Sequence, residues 1–142
     1  MIYYAHIVRY TKTDPDSPGN LKVMDLIEAL SDSTIIPEKF NVDVNFLVDY
    51  IGQLSALETF TKDFSGILAI KINKDITVFL FDSLESLQSY VTSRTLIPTW
   101  DSYTAHRDQF LEKVGLTFSV ESPKEITADD SELPIQIVQN IV

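Results

Sequence analysis

Residues 66–81 read GILAIKINKDITVFLF, and this stretch decides the fold prediction. Two runs rich in β-branched residues, 66–72 and 76–81, flank the short polar segment 73–75. This pattern is typical of a β-hairpin. The second run is almost continuously apolar, which indicates a central strand covered on both of its faces.

Further strands and helices are predicted on both sides of this hairpin. Residues 2–10 and 116–120 are rich in β-branched and aromatic types, which predicts a first and a last strand. Apolar residues at helical spacing predict three helices, one before the hairpin and two after it. The residues that mark their ends are Asn20 and either Asp82 or Ser83 as N-caps, Pro98 as a first residue and Gly115 as a C-cap.

The order of these elements predicts an α+β fold of the ferredoxin-like, split βαβ type, with an antiparallel sheet and helices on one face. Residues 41–64 leave two alternatives open. Their period-two alternation and β-branched content favour an extra strand. The residues Val44, Leu47, Ile51 and Leu54 also form a helical stripe.

The chain divides into a domain over residues 1–120 and an acidic linker with an apolar end over residues 121–142. The apolar end fits an added strand, on its own sheet or on the edge of a partner, and a helix from Pro134 is the alternative. Docking on its own domain competes with docking on a partner. The candidate partner-binding residues are Ile135, Ile137, Val138 and Ile141.

Composition excludes several classes of function. The 142 residues include 21 acidic and 11 basic side chains, for a formal charge of −10, and no cysteine. Disulfides, thiolate nucleophiles and zinc–thiolate sites are therefore excluded, and the charge argues against nucleic-acid binding. No glycine-rich phosphate loop or metal-binding spacing occurs, so we expect no cofactor and no metal. Without a membrane-spanning stretch or a signal peptide, we expect a cytoplasmic protein.

One segment resembles a known group of proteins. Residues 81–90 read FDSLESLQSY, in which a strand ends in an aromatic residue and a serine-capped helix leads to another. With Arg94, Trp100 and Tyr103 downstream, the region from about 76 to 118 resembles the dimeric α+β barrels of the antibiotic-biosynthesis-monooxygenase-like group. The resemblance implies a ferredoxin-like fold that self-associates. Several members carry a functional histidine shortly after this helix, whereas residues 93–98 read SRTLIP here, so the resemblance does not extend to the monooxygenase chemistry.

Two functions are consistent with these observations. The first is a non-catalytic protein–protein interaction module that binds a basic partner or acts as an inhibitor, because the chain is acidic and lacks catalytic motifs. We expect this module to be homo-oligomeric. The second is a small-ligand-binding protein or cofactor-free enzyme of the α+β barrel type. Its candidate ligand-binding residues are Tyr4, His6, Phe79, Trp100, Tyr103 and His106. A cavity that joins at least two of these side chains is required by the second function.

Overall fold

The computed structural model describes residues 1–32, 36 and 40–142. The helices and strands of this part of the chain, in order, are β1 (Ile2–Lys12), α1 (Val23–Ser31), α2 (Val44–Asp63), β2 (Ile67–Ile72), β3 (Ile76–Phe81), α3 (Leu84–Arg94), α4 (Trp100–Val114), β4 (Leu116–Thr127) and α5 (Pro134–Ile141).

The described strands form one antiparallel sheet in the order β2-β3-β1-β4. This order, with helices between β1 and β2 and again between β3 and β4, is the ferredoxin-like arrangement, and it confirms the predicted α+β fold. The predicted hairpin is present as β2 and β3. β3 lies inside the sheet, as its continuous apolar sequence indicates, and all but one of its side chains are buried.

Local sequence signals account for several helix ends. Ser83 caps α3, since its hydroxyl accepts a hydrogen bond from the Ser86 amide at 3.1 Å. Gly115 ends α4 in the left-handed conformation, with a φ of 73°. Asn20 does not cap α1, which begins at Val23. Its side-chain amide donates instead to the Thr77 hydroxyl at 2.9 Å, which fastens the loop before α1 to the sheet.

The extra strand favoured for residues 41–64 is wrong, and the helical alternative is correct. α2 spans 20 residues, and Asp43 caps it by accepting a hydrogen bond from the Asn45 amide. Leu47 of the helical stripe is buried in the core, and so is Tyr50 of the same helix. Val44, the first residue of the stripe, has an exposed fraction of 60% and lies mainly in solvent.

The C-terminal region is more ordered than a linker and a tail. β4 crosses the predicted boundary at residue 120 and pairs with β1 as far as Thr127, opposite Ile2. The segment from Pro134 is a helix rather than an added strand, because proline fits the first turn of a helix. Ile137 and Val138 of this helix are buried against the chain's own sheet.

The helices lie on both faces of the sheet. α5 covers one face, which we call the packed face. The strand residues buried beneath it are Tyr3, Ala5, Ile7, Ile76, Val78 and Leu80. On the opposite face α3 contacts β1 and β3, and α4 contacts β4. α2 packs on α4, and α1 packs on α2, so that α1 to α4 form a second layer above this face.

Candidate functional site

A cavity of about 360 Å³ lies between the sheet and the layer formed by α1 to α4. Its volume falls within the range of roughly 300–1,000 Å³ that is typical of small-molecule sites. All four strands contribute to its floor, through His6, Val8, Tyr10, Ile70, Ile72, Thr77, Phe79, Phe118 and Val120. The sides come from α2, α3, α4 and the segment 20–23. We call this side of the sheet the cavity face.

Four of the six predicted ligand-binding residues line the cavity, namely His6, Phe79, Trp100 and Tyr103. The structural requirement of the ligand-binding hypothesis is therefore met. The other two residues lie elsewhere. Tyr4 packs against the hydrophobic cluster of Phe81, Leu87 and Tyr90. His106 stacks on Phe46 at 5.0 Å, and its Nδ1 donates to the Ser102 carbonyl at 2.8 Å.

The rings of Tyr90, Trp100, Tyr103 and Phe118 line the cavity, and we call them the aromatic wall. Arg94, in the last turn of α3, lies against two of these rings. Its guanidinium carbon is 5.1 Å from the ring centre of Trp100 and 5.9 Å from that of Tyr90, so both rings can attract the cation. Nη1 donates a long hydrogen bond of 3.5 Å to His6 Nε2. Nε is buried and has no hydrogen-bond partner among the described residues. Burial lowers the pKa of Arg94 from its ordinary value.

His6 is neutral near neutral pH and has a defined tautomer. Burial, and to a smaller extent the nearby charge of Arg94, lower the pKa of His6 to about 4. A guanidinium can only donate hydrogen bonds, so Nε2 of His6 must accept and the ring proton must be on Nδ1. This Nδ1 is buried and has no partner in the described part of the chain. Nε of Arg94 and Nδ1 of His6 are thus two buried donors without an acceptor among the described residues, and an unpaired buried donor costs about 1–3 kcal/mol.

A second arginine, Arg107 of α4, extends the aromatic wall. Its guanidinium lies 4.6 Å from the ring centre of Phe118 and 5.7 Å from that of Tyr103. Unlike Arg94, Arg107 forms an ion pair, with Asp108 at 3.1 Å. Burial also raises the pKa of Tyr103, so its hydroxyl keeps its proton. The wall thus places two guanidinium groups beside aromatic rings. Of these two, only that of Arg107 forms an ion pair with a carboxylate of the described residues.

The arrangement supports binding and orienting a molecule better than proton transfer. Nε2 of His6 already accepts from Arg94, and Nδ1 carries a proton, so the ring has no free lone pair with which to act as a base. Within residues 1–32, 36 and 40–142, no group of three or more metal-ligating side chains comes together. In the same residues, no helix has the length and apolar character needed to cross a bilayer.

Two important cavity residues, Arg94 and Arg107, are not among the predicted site residues. A signal for both is present in the sequence. Arg94 follows Tyr90 by four residues, and Arg107 follows Tyr103 by four. Residues at this spacing on a helix share one face, so each arginine lies next to an aromatic ring.

The candidate partner-binding residues of the C-terminal segment are placed differently from one another. Ile137 and Val138 are buried on the packed face, and Ile141 is half-buried beside them. Ile135 has an exposed fraction of 47%. Most of the apolar area of α5 is therefore used within the chain, and a partner-binding role for these residues stays a prediction.

Comparison with known protein families finds no family model that matches the chain, and comparison with curated proteins finds no match. The function is therefore inferred from the geometry of the cavity.

Proposed function

We propose that this protein binds a small aromatic molecule in the cavity between the sheet and the helices. The observation that carries the proposal is the cavity itself, which has a volume of about 360 Å³ and brings together His6, Phe79, Trp100 and Tyr103. The cavity is open to solvent on one side, where the lining residues Ile70, Ile72, Phe118 and Val120 are exposed, so a ligand can enter it.

The chemistry of the lining supports an aromatic ligand. Six aromatic side chains, namely Tyr10, Phe79, Tyr90, Trp100, Tyr103 and Phe118, line the cavity together with aliphatic residues of the strands and α2. Aromatic rings favour offset-stacked or edge-to-face partners, which adds to the free energy of burying apolar area. A few polar groups among apolar walls are typical of sites that fix the orientation of a ligand.

The test is calorimetric titration with a panel of neutral and charged naphthalene derivatives. We expect at least one to bind with a stoichiometry of one. Val8→Phe should then weaken binding by about tenfold or more, because the larger ring occupies the cavity. Trp100 is the single tryptophan of the chain and lines the cavity, so its emission should change on binding.

Ile2→Phe is the matched control. Ile2 is on the same strand as Val8, is exposed and does not line the cavity, so this substitution should leave the affinity unchanged. Absence of binding to the wild-type protein by the whole panel up to about 1 mM, a weak affinity even for a fragment, would contradict the proposal. Equal affinities for the wild type and Val8→Phe would also contradict it.

The edge of β4 supports a second proposal, that the chain works through protein contacts and self-association. β4 is an outer strand of 12 residues, and nearly all of them are exposed. A free edge offers backbone groups for pairing with another strand. Phe118 and Val120 add exposed apolar area beside this edge. The acidic surface and the resemblance to dimeric α+β barrels are in line with this proposal.

Light scattering tests the second proposal. We expect the mass of a dimer for the wild-type protein and that of a monomer for Val120→Lys, since a charge at the pairing edge opposes association. The same substitution at Thr127, near the end of β4, is a control for the added charge. A monomeric wild-type protein would remove self-association, and unchanged dimerisation in Val120→Lys would remove β4 as the interface.

A further inference from the structure

The charge of the cavity differs from the charge of the chain. Among the described residues, four basic side chains line it, namely Lys22, Lys62, Arg94 and Arg107, against the one carboxylate of Glu58. The chain as a whole has 11 basic and 21 acidic residues. More than a third of the basic side chains are thus concentrated at one site of an acidic protein, which makes the cavity attractive to anions.

Arg94 differs from the other two arginines of the chain. Arg9 forms an ion pair with Glu121 at 3.8 Å, and Arg107 forms one with Asp108 at 3.1 Å. Arg94 forms none with the described residues, and the only hydrogen bond of its guanidinium there is the long one to His6. A guanidinium has five donors in a planar fork that matches a carboxylate, so the donor capacity of Arg94 is largely unused.

The donors of Arg94 that remain for a ligand are at the end of its guanidinium. Nη1 makes the long hydrogen bond to His6 Nε2, and Nη2 makes no hydrogen bond with the described residues. An anionic oxygen is the acceptor that a guanidinium favours most. A carboxylate can therefore bind at Nη2 while His6 holds Nη1 in place.

We infer that the ligand is an organic carboxylate, whose anionic head is bound by the guanidinium of Arg94 while its aromatic body packs along Tyr90 and Trp100. This inference rests on the proposed function, because it names the chemical class of the molecule that the cavity accepts. The exposed side chains of Lys22 and Lys62 lie at the rim, where their charge attracts the anion before it enters. The head group supplies the acceptor that Nη2 of Arg94 lacks among the described residues.

The test compares naphthalene-2-carboxylate with naphthalene-2-carboxamide, which has nearly the same shape and no charge. Calorimetry near neutral pH should show that the wild-type protein binds the carboxylate roughly 10- to 100-fold more tightly, as expected for hydrogen bonds to a charged group. In Arg94→Met this preference should disappear, while the affinity for the carboxamide stays within about threefold of the wild type. Methionine keeps the length and the apolar stem of the side chain.

Arg9→Met is the matched control, since Arg9 is paired with Glu121 and does not line the cavity. It should keep the preference for the carboxylate. Equal affinities of the wild-type protein for the two compounds would overturn the carboxylate assignment and leave the proposed function standing. Failure of the wild-type protein to bind either compound would overturn both. Retained preference in Arg94→Met would show that another group binds the head. The wild-type comparison decides the assignment even where a variant does not fold.

Discussion

The packed face and the cavity face belong to the same four strands but are filled in opposite ways. On β1, Ala5 and Ile7 point to the packed face and are completely buried, whereas His6 between them points to the cavity face and is equally inaccessible. Alternation along a strand places neighbours on opposite sides of a sheet. One short segment of sequence therefore contributes to two different environments.

The two faces differ in chemistry as well as in packing. The packed face is filled by aliphatic residues of the strands and by Ile137 and Val138 of α5. The cavity face has aromatic rings, His6 and Arg94, and two of its buried donors have no partner among the described residues. Buried polar groups are normally satisfied, so these two donors set the cavity face apart. We therefore ascribe stability mainly to the packed face and propose binding for the other.

Substitution of Val138 by aspartate should have the largest effect, because it places a carboxylate in the packed face. Val138 is completely buried, and a buried charge without a partner is strongly unfavourable. We expect the free energy of unfolding to fall by about 4 kcal/mol, measured by urea denaturation followed by circular dichroism.

Ile135→Asp is the control on the same helix. Ile135 is exposed and lies in the first turn of α5, where a negative charge is favourable, so the free energy of unfolding should change by less than about 0.5 kcal/mol. Equal effects of the two substitutions would mean that α5 does not hold the packed face, and the comparison between the faces would fail.

The stability of the cavity face should depend on pH through His6. Its pKa is about 4 in the folded chain and 6.5 as an ordinary histidine, so the unfolded chain takes up a proton first as the pH falls. The stabilisation is fully present above the unfolded pKa and is lost as the pH falls from about 6.5 to about 4.

Urea denaturation at about pH 7 and about pH 4 measures this dependence. The wild-type protein should lose about 3 kcal/mol more than His6→Gln over this interval, since glutamine does not titrate. The many carboxylates of the chain titrate in both proteins, so the difference isolates His6. Identical losses would show that the pKa of His6 is the same in the folded and the unfolded chain.

The parts of the fold that sequence predicted correctly are those with local causes. The hairpin, the cap at Ser83 and the left-handed Gly115 each depend on a few neighbouring residues. α2 was predicted only as the alternative to a strand, because its sequence fits two periodicities and the choice between them depends on packing with α1 and α4. Local propensity cannot decide such a case.

The candidate site was also predicted only in part, because some of its contacts join residues that are far apart in the sequence. His6 and the aromatic residues were predicted from their residue types alone. The partnership of His6 with Arg94 joins residues that are 88 positions apart, and the second aromatic ring over Arg94 comes from a different helix. An arginine on a helix is usually solvated, so its burial without a carboxylate becomes visible only in the folded chain.

The smallest expected effect comes from enlarging one side chain on each face. Ala5→Leu adds volume to the packed face, where Ala5 is completely buried opposite Leu80, and should lower the free energy of unfolding by about 2 kcal/mol through overpacking. Val8→Leu adds volume on the cavity face of the same strand and should change it by less than about 0.5 kcal/mol, because the cavity accepts the extra methylene.

Urea denaturation measures the free energy of unfolding of both variants. Because both substitutions are on β1, strand propensity contributes little to the difference between them. Both replacements introduce leucine, and the variants differ mainly in which side of the sheet receives it. Equal costs would mean that the cavity face is as tightly packed as the other face, and the space proposed for the ligand would not exist in solution. A cost confined to Ala5→Leu would show instead that the cavity accepts the extra methylene. It would also show that the volume of the cavity is not required for folding, as expected of a ligand site.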